Sequence, residues 1–370
     1  MQYIHQLPAW PNFRWDTGAL PTPLGAVRHM QGKLAGSMSA LGFVLQQEAL
    51  LETLTLDVVK SNEIEGSFLN PQAVRSSIAR RLGMDISGMI PADRQVDGVV
   101  DMMLDATRQC NQPLSAERLF GWHAALFPTG RSGMYAIRVG AWRDDAAGPM
   151  QVVSGGMGRE RVHFQAPDAV RVDREMNAFI EWFNRDEPLD PVLKAAIAHL
   201  WFVTIHPFDD GNGRIARAIA DMQLARADGG SQRFYSMSAQ IQLERSRYYE
   251  VLESTQKGNL DITEWLLWFL ACLHSALKNT DHILAQVLAK ATFWEKHRAT
   301  ILNERQRLLL NKLFDGFEGK LNTSKWAKIA KCSPDTALRD IQDLVSKGIL
   351  QKKAAGGRST HYELVMGEKG

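Results

Sequence analysis

The stretch His206-Pro207-Phe208-Asp209-Asp210-Gly211-Asn212-Gly213-Arg214-Ile215-Ala216-Arg217 decides how the chain is read. Before it, residues 190–205 carry an apolar helical pattern that must end at His206, because a proline disfavours the α conformation in the residue preceding it. After it, a second helix begins at Asn212 or Gly213 and runs toward Gly229-Gly230. The loop therefore finishes at a helix N-terminus, where free backbone N–H groups and the macrodipole favour an anion. Gly211 and Gly213 let that backbone approach a ligand without a Cβ in the way. Arg214 and Arg217, three apart, share a helical face near the same end. Two guanidiniums beside an anion-accepting turn make a polyphosphate cradle. Asp210 adds a hard oxygen ligand suited to the Mg2+ that accompanies a polyphosphate. His206 is the group there whose ordinary pKa suits proton abstraction near neutrality. A Walker A loop is excluded because no Gly-Lys-Ser/Thr follows, and a dinucleotide fingerprint because the preceding element reads as helix.

Outward from this loop, helical periodicity dominates. Apolar residues recur at spacings of three and four across 24–60, which predicts a helix led in by Pro21 and Pro23 and stopped at Gly66. Further helical patterns cover 71–83, 94–110, 115–127, 168–184, 239–256 and 262–294. Trp10, Phe13 and Trp15 mark an N-terminal arm whose aromatics are tied down on a neighbouring surface. One segment, 150–165, departs from the pattern: MQVVS and RVHFQ flank GGMGRE, a β-hairpin signature whose free edge is open to a partner. His199 reads as a core histidine, 265–269 as a buried helix, and Trp122, His123 and Phe127 as core packing.

Composition bounds the rest. The 370 residues suit two or three domains, and 45% hydrophobic with 23% charged residues excludes a disordered or fibrous chain. A net charge of +2 provides no whole-chain field for nucleic acid or membrane. Cys110, Cys272 and Cys332 are odd in number and far apart, which points to a reducing compartment. No signal peptide is visible, and the apolar run 265–273 is far shorter than the roughly 20 residues of a membrane span, so a cytoplasmic protein without membrane partners is expected. Residues 298–370 differ, with 14 Lys/Arg against 8 Asp/Glu. They read as three helices (298–316, 323–331, 335–347) and two basic β-prone runs, the order of a winged helix. Its third helix would enter a major groove with Arg339 and Lys347 exposed, and Lys352, Lys353 and Arg358 would touch phosphates. Asp335, Asp340 and Asp343 on that helix would repel DNA, so DNA and protein both stay open as its partner.

A second motif lies upstream, Ser61-Asn62-Glu63-Ile64-Glu65-Gly66. Ser61 and Glu65 share a helical face. Glu65 falls in the last turn, facing the negative end of the macrodipole, where a carboxylate is disfavoured by roughly 0.3–1 kcal/mol unless a basic partner meets it.

Together these residues resemble the Fic (filamentation induced by cAMP) family, whose motif HxFx(D/E)GNGRxxR is matched at His206, Phe208, Asp210, Gly211, Asn212, Gly213, Arg214 and Arg217. The resemblance covers about residues 95–290. It implies a mainly α fold: an N-terminal arm and inhibitory helix (1–90), a Fic-type helical core with a β-hairpin flap (91–295), and the winged helix-turn-helix domain (296–370). It also implies transfer of AMP from Mg-ATP to a Ser, Thr or Tyr hydroxyl of a target protein, and of the chain itself. In that reading His206 deprotonates the hydroxyl, Asp210 holds Mg2+, Gly211, Asn212, Gly213 and Arg214 grip the phosphates, and Arg217 meets the γ-phosphate. Phe208 anchors the loop.

The family's inhibitory pattern (S/T)xxxE(G/N) fits Ser61 and Glu65, and implies that Glu65 pairs with Arg217 and deprives the γ-phosphate of its clamp. The hairpin 152–165 would be the flap, with Val153, Ser154, Gly155 and Gly156 close to the nucleotide. Arg161, Val162, His163 and Phe164 would pair with an extended target segment by strand addition. Tyr248 and Tyr249 would flank the adenine with Gln256, where family members commonly have Asn. Self-association is common in the family, so a second copy is a further expected partner. The alternatives are AMP removal, another diphosphate donor, or a nucleotide-sensing DNA-binding regulator.

Overall fold

The computed structural model describes residues 2–86, 89–146, 148–155, 161–230, 232–314, 317, 319–353 and 360–365. The chain divides into two compact units, Met1–Met84 with Ile90–Leu284, and Ala285–Gly370 with Asp85–Met89. The first unit is built from α1 (Pro21–Ser39), α2 (Phe43–Ile64), α3 (Pro71–Leu82), α4 (Arg94–Arg108) and α5 (Ala116–Leu126). Strands β1 (Arg131–Ser132), β2 (Tyr135–Ala136), β3 (Gln151–Ser154) and β4 (Arg161–Gln165) follow. Then come α6 (Ala169–Asn184), α7 (Pro191–Ile205), α8 (Asn212–Ala227), α9 (Met237–Leu243) and α10 (Arg245–Gln256), while α11 (Thr263–Lys296) begins in this unit and continues into the second. Local chemistry sets many of the boundaries. Proline opens α1, α3 and α7, and the side chains of Asn70, Asp93, Ser115, Asp190 and Ser236 accept from the first free N–H groups of their helices.

Two helices expected from periodicity are each a pair. The pattern across 24–60 breaks between Ser39 and Phe43, where Gly42 is extended (φ −65°, ψ 155°) and caps α2. Gln46 Nε2 donates to Met38 O and Leu41 O, both at 2.9 Å, and so satisfies carbonyls at the end of α1. The pattern across 239–256 likewise breaks at Glu244, between α9 and α10. In both cases the apolar spacing runs on through a turn, which periodicity alone does not detect.

α7 is the centre of the first unit, buried along residues 192–205, and Trp265 Nε1 donates to Ala196 O at 2.8 Å. α8 packs against it, with α2 and α4 alongside α8. α2 is moored by a buried ionic cluster in which Arg233 bridges Asp57 of α2 (3.2 Å) and Asp221 of α8. Ser236 Oγ and Ser238 N–H also donate to Asp57. Removing one member of such a buried pair costs about 3–5 kcal/mol, so α2 is held firmly along its middle. In the arm, Trp10 and Phe13 set their rings edge-on to Trp201, and Trp10 Nε1 donates to Glu175 at 2.8 Å.

β3 and β4 pair antiparallel, with Val153 opposite Val162 and an irregularity between Val152 and Val153. Phe164 is buried edge-on to the rings of Tyr3 and His5, and His5 Nε2 donates to Gln165 O at 2.9 Å, so the arm pins β4.

In the second unit, α12 (Glu304–Phe314), α13 (Thr323–Ala330) and α14 (Pro334–Ser346) precede the antiparallel pair β5 (Leu350–Lys353) and β6 (His361–Leu364). Leu309, Leu310, Trp326, Ile341 and Leu344 form its core, and Leu321 bridges to Tyr362. One of the acids expected to repel DNA is withdrawn from the surface. Asp340 is buried and accepts from Arg305 (2.7 Å) and Asn303 (2.9 Å), and Asp343 pairs with Lys347 and Gln306. Arg358 lies outside the described residues.

Candidate active site

His206 ends α7 in the left-handed region (φ 53°, ψ 58°), a conformation rare outside glycine. Arg143 holds it there: its Nε donates to His206 O at 2.8 Å and its backbone N–H to Pro207 O at 2.9 Å. Nδ1 of His206 donates to Val203 O at 3.2 Å, which leaves the lone pair on Nε2. Burial pushes this imidazole down to about 4, partly offset by the Val203 bond, so at pH 7 it is a neutral base. Phe208 is buried, stacked on His123 at 4.2 Å and packed on Trp142 at 5.1 Å. Asn212 fastens the loop with its side chain, accepting from Phe208 N–H (3.0 Å) and donating to Phe208 O (2.7 Å). Its amide thus serves the loop, and its backbone remains for a ligand.

Gly211 caps α8 at φ 82°, and a Cβ there would come within 2.9 Å of the Phe127 ring. Asp210 is half-exposed. Its carboxylate accepts from Ser132 Oγ and Gly211 N–H, and His123 Nε2 donates to its backbone oxygen at 3.2 Å. Arg214 is buried over the Phe127 ring at 5.0 Å. A cavity of about 630 Å3 opens here, lined by Asp210, Arg214, Glu65, Gln95, Arg131 and Ser132 among others. That volume is within the roughly 300–1,000 Å3 of small-molecule sites.

Glu65 reaches this loop from the end of α2. Its Oε1 lies 2.8 Å from Arg217 Nη2, and a Cβ on Gly213 would overlap the same oxygen. The carboxylate thus sits over the N-terminal turn of α8, at the positive end of a helix dipole. Ser61 joins in, accepting from Arg217 Nε through its hydroxyl (2.9 Å) and from Nη2 through its carbonyl (2.8 Å). Burial opposes the charge on Arg217, but Glu65, joined by Tyr248 and Tyr249, leaves its pKa raised. Arg217 Nη1 and Arg214 Nε are buried without a hydrogen-bond partner among the described residues. Such orphaned donors fit a larger anion than one carboxylate.

Comparison with known proteins bears on the same residues. Residues 113–224, which include the loop, match the Fic/DOC family. A Fic/DOC-like segment thus carries the loop. Residues 3–84 match a family described only as a domain of unknown function, DUF4172. Curated relatives named protein adenylyltransferase Fic include one from Nematostella vectensis, 33% identical over 125 residues, which are 33% of this chain and 26% of that protein. Another, from Drosophila virilis, is 33% identical over 132 residues, 30% of this chain and 26% of the relative. The match therefore spans about a quarter of these relatives' length. A Fic family protein from Desulfovibrio desulfuricans superposes with a TM-score of 0.54 at 19% identity, covering 96% of this chain and 98% of that one. A Fic domain-containing signaling protein from Bacteroides thetaiotaomicron gives 0.52 at 19% identity, covering 70% and 97%. At that identity the likeness is one of fold.

The other residues expected in the Fic site take varied places. His163 on the hairpin is tied by Nδ1 to Glu253 (2.7 Å) and by Nε2 to Ser154 Oγ (2.6 Å), and Arg161 reaches Glu253 at 3.3 Å. Phe164 faces inward, Val153 and Val162 are exposed, Gly155 has φ 105°, and Gly156 lies outside the described residues. Tyr248 is buried with its hydroxyl 3.0 Å from His199 Nε2, and buried Gln256 donates to Thr204 Oγ1 at 3.2 Å. Of that expected trio, only Tyr249 keeps an accessible side, between Tyr248 (4.9 Å) and the Arg245 guanidinium (5.4 Å). No local pattern in the sequence singles out Arg143 or Ser132. Ser132 lies in the short strand β1, and nothing local sets it beside Asp210, 78 residues on.

Burial lowers the pKa of three histidines here, His123 and His206 to about 4 and His199 to about 3. The unfolded chain takes up these protons first, near pH 6.5. Stability should therefore be intact above pH 6.5 and fall by roughly 1 kcal/mol per histidine for each pH unit below it, until the folded pKa is reached. Urea unfolding at pH 7 and pH 5 checks this. The stability gap between wild type and His199→Gln should narrow at the lower pH, and a constant gap would mean that His199 titrates normally.

Proposed function

We propose that the chain is an autoinhibited protein adenylyltransferase that moves AMP from Mg-ATP to a hydroxyl of a target protein. The observation that carries this reading is the Glu65 carboxylate lying over Gly213 against Arg217, a single anion at the end of a cradle with unspent donors. In the reaction His206 Nε2 takes the proton of the incoming hydroxyl, whose oxygen attacks the α-phosphorus, and diphosphate leaves. The N–H groups of the first turn of α8, with Arg214 and Arg217, hold the phosphates.

Among the described residues no group of three or more His, Cys, Asp or Glu could hold a metal ion. Asp210 at the cavity suits Mg2+, which commonly takes one or two carboxylates and completes its shell with phosphate and water. When bound, the ion would neutralise phosphate charge. The cross-strand pair Val153 and Val162, half-exposed on the hairpin, supports docking of an extended target segment there. Its three cysteines are free thiols, which suits a cytoplasmic setting. The test is intact-protein mass after incubation with Mg-ATP, with and without Glu65. An added AMP in the Glu65→Gly variant supports the reading, and none in any variant favours another donor or AMP removal.

A second reading concerns the C-terminal unit. The burial of Asp340 against Arg305 leaves Arg339 less opposed on α14, which favours a winged helix that binds duplex DNA. Binding to a random duplex should then weaken steeply with salt and be lost on deleting 297–370. Salt-insensitive binding, or binding that survives the deletion, speaks against it.

A further inference from the structure

We propose that Arg245 is a second clamp on the end of α2, a positioning residue that holds Glu65 in its blocking pose. The proposal rests on the reading of Arg217 as a phosphate-gripping residue. A helix leaves its last four carbonyls without intrahelical donors, and each needs a partner. In α2 these belong to Ser61, Asn62, Glu63 and Ile64. The chain itself serves two of them. Gly66 N–H donates to Glu63 O and Ser67 N–H to Asn62 O, both at 3.0 Å, in a Schellman turn with Gly66 left-handed (φ 76°).

Arginines from elsewhere serve the other two. Arg217 Nη2 donates to Ser61 O at 2.8 Å, and Arg245 Nε donates to Ile64 O at 2.9 Å. Ile64 O belongs to the peptide group that leads into Glu65. The Arg245 bond therefore fixes the plane from which the blocking carboxylate projects. The middle of α2 is held by the Asp57–Arg233 pair, so the whole helix cannot readily withdraw. Release of Glu65 then comes down to the last turn. That turn is held by two guanidiniums, one of which a nucleotide would recruit.

Arg245 also opens α10, so its side chain joins the positive end of one helix to the negative end of another. Because it covers Tyr249 as well, the test must separate a clamp from a nucleotide contact.

Wild type, Arg245→Ala, Arg245→Lys, Glu65→Gly and the double variant Arg245→Ala/Glu65→Gly are compared for AMP incorporation from Mg-ATP. Amide hydrogen exchange across 61–67 is followed in wild type and Arg245→Ala. Arg245→Ala should transfer about five- to twentyfold faster than wild type, while Arg245→Lys, which keeps a donor, stays within about twofold of it. The double variant should match Glu65→Gly in kcat and in KM for ATP, because the clamp acts only through Glu65. The amides of residues 65–67 should exchange at least about tenfold faster in Arg245→Ala. Wild-type rate together with wild-type exchange overturns the proposal. So does a changed KM on the Glu65→Gly background, which would make Arg245 a nucleotide contact. If Glu65→Gly transfers nothing, the adenylyltransferase reading fails instead. The exchange result then decides by itself whether Arg245 clamps the helix end.

Discussion

Glu65→Gly should raise AMP transfer from Mg-ATP by about 100-fold or more, equivalent to roughly 3 kcal/mol of barrier. The physical ground is competition for one site. The Glu65 carboxylate occupies Arg217 and the turn at Gly213, so a terminal phosphate can settle there only by displacing a charge-assisted pair. Removing the carboxylate leaves Arg217 held by Ser61, aimed as before and free to bind. The fold should tolerate the change. Glu65 is the cap residue of α2 with ordinary backbone angles (φ −87°, ψ 7°), and its carboxylate is disfavoured by its own helix dipole. Glu65→Gln, neutral but of equal size, should fall between wild type and Glu65→Gly. Intact mass and a thermal melt of each variant check both points. Equal AMP incorporation by wild type and Glu65→Gly would remove the inhibitory role.

On the Glu65→Gly background, His206→Ala should lower transfer by at least about 1,000-fold, near the upper range for loss of a general base. Affinity for ATP should change little, because the phosphate donors of the proposed reaction lie on α8 and not on His206. The imidazole is set up for the task by its Nδ1 bond to Val203, which leaves Nε2 to accept a proton. Its left-handed backbone adds a structural burden, since alanine there costs about 1–2 kcal/mol. His206→Asn, which tolerates that conformation better, separates chemistry from folding. Both variants should be inactive while still binding ATP in a titration. Transfer within about tenfold of the parent in His206→Asn would assign the base elsewhere.

The sequence by itself determined the local backbone around the site. Pro207 ends α7 at His206, the glycines open the start of α8, and the spacing of Arg214 and Arg217 sets them on one face. Each of these follows from interactions within a few residues, which is the range over which sequence pattern carries information. Local patterning also says that Glu65 needs a basic partner, because a carboxylate at a helix C-terminus is unfavourable until a cation meets it.

The tertiary structure decided which partners met. Ser61 and Arg217 are 156 residues apart, and only the packing of α2 beside α8 brings them together. The same holds for Arg143 and His206, 63 apart, and for Arg245 and Ile64, 181 apart. Tyr248 and Gln256 show the converse. Both lie on the expected helix, yet packing gave them His199 and Thr204 as partners in the interior. The break at Gly42 is of the same kind, since apolar spacing continues through a turn whose carbonyls Gln46 satisfies. Periodicity specifies which face of a helix is buried. It does not specify against what, because that depends on the simultaneous packing of elements far apart in the chain.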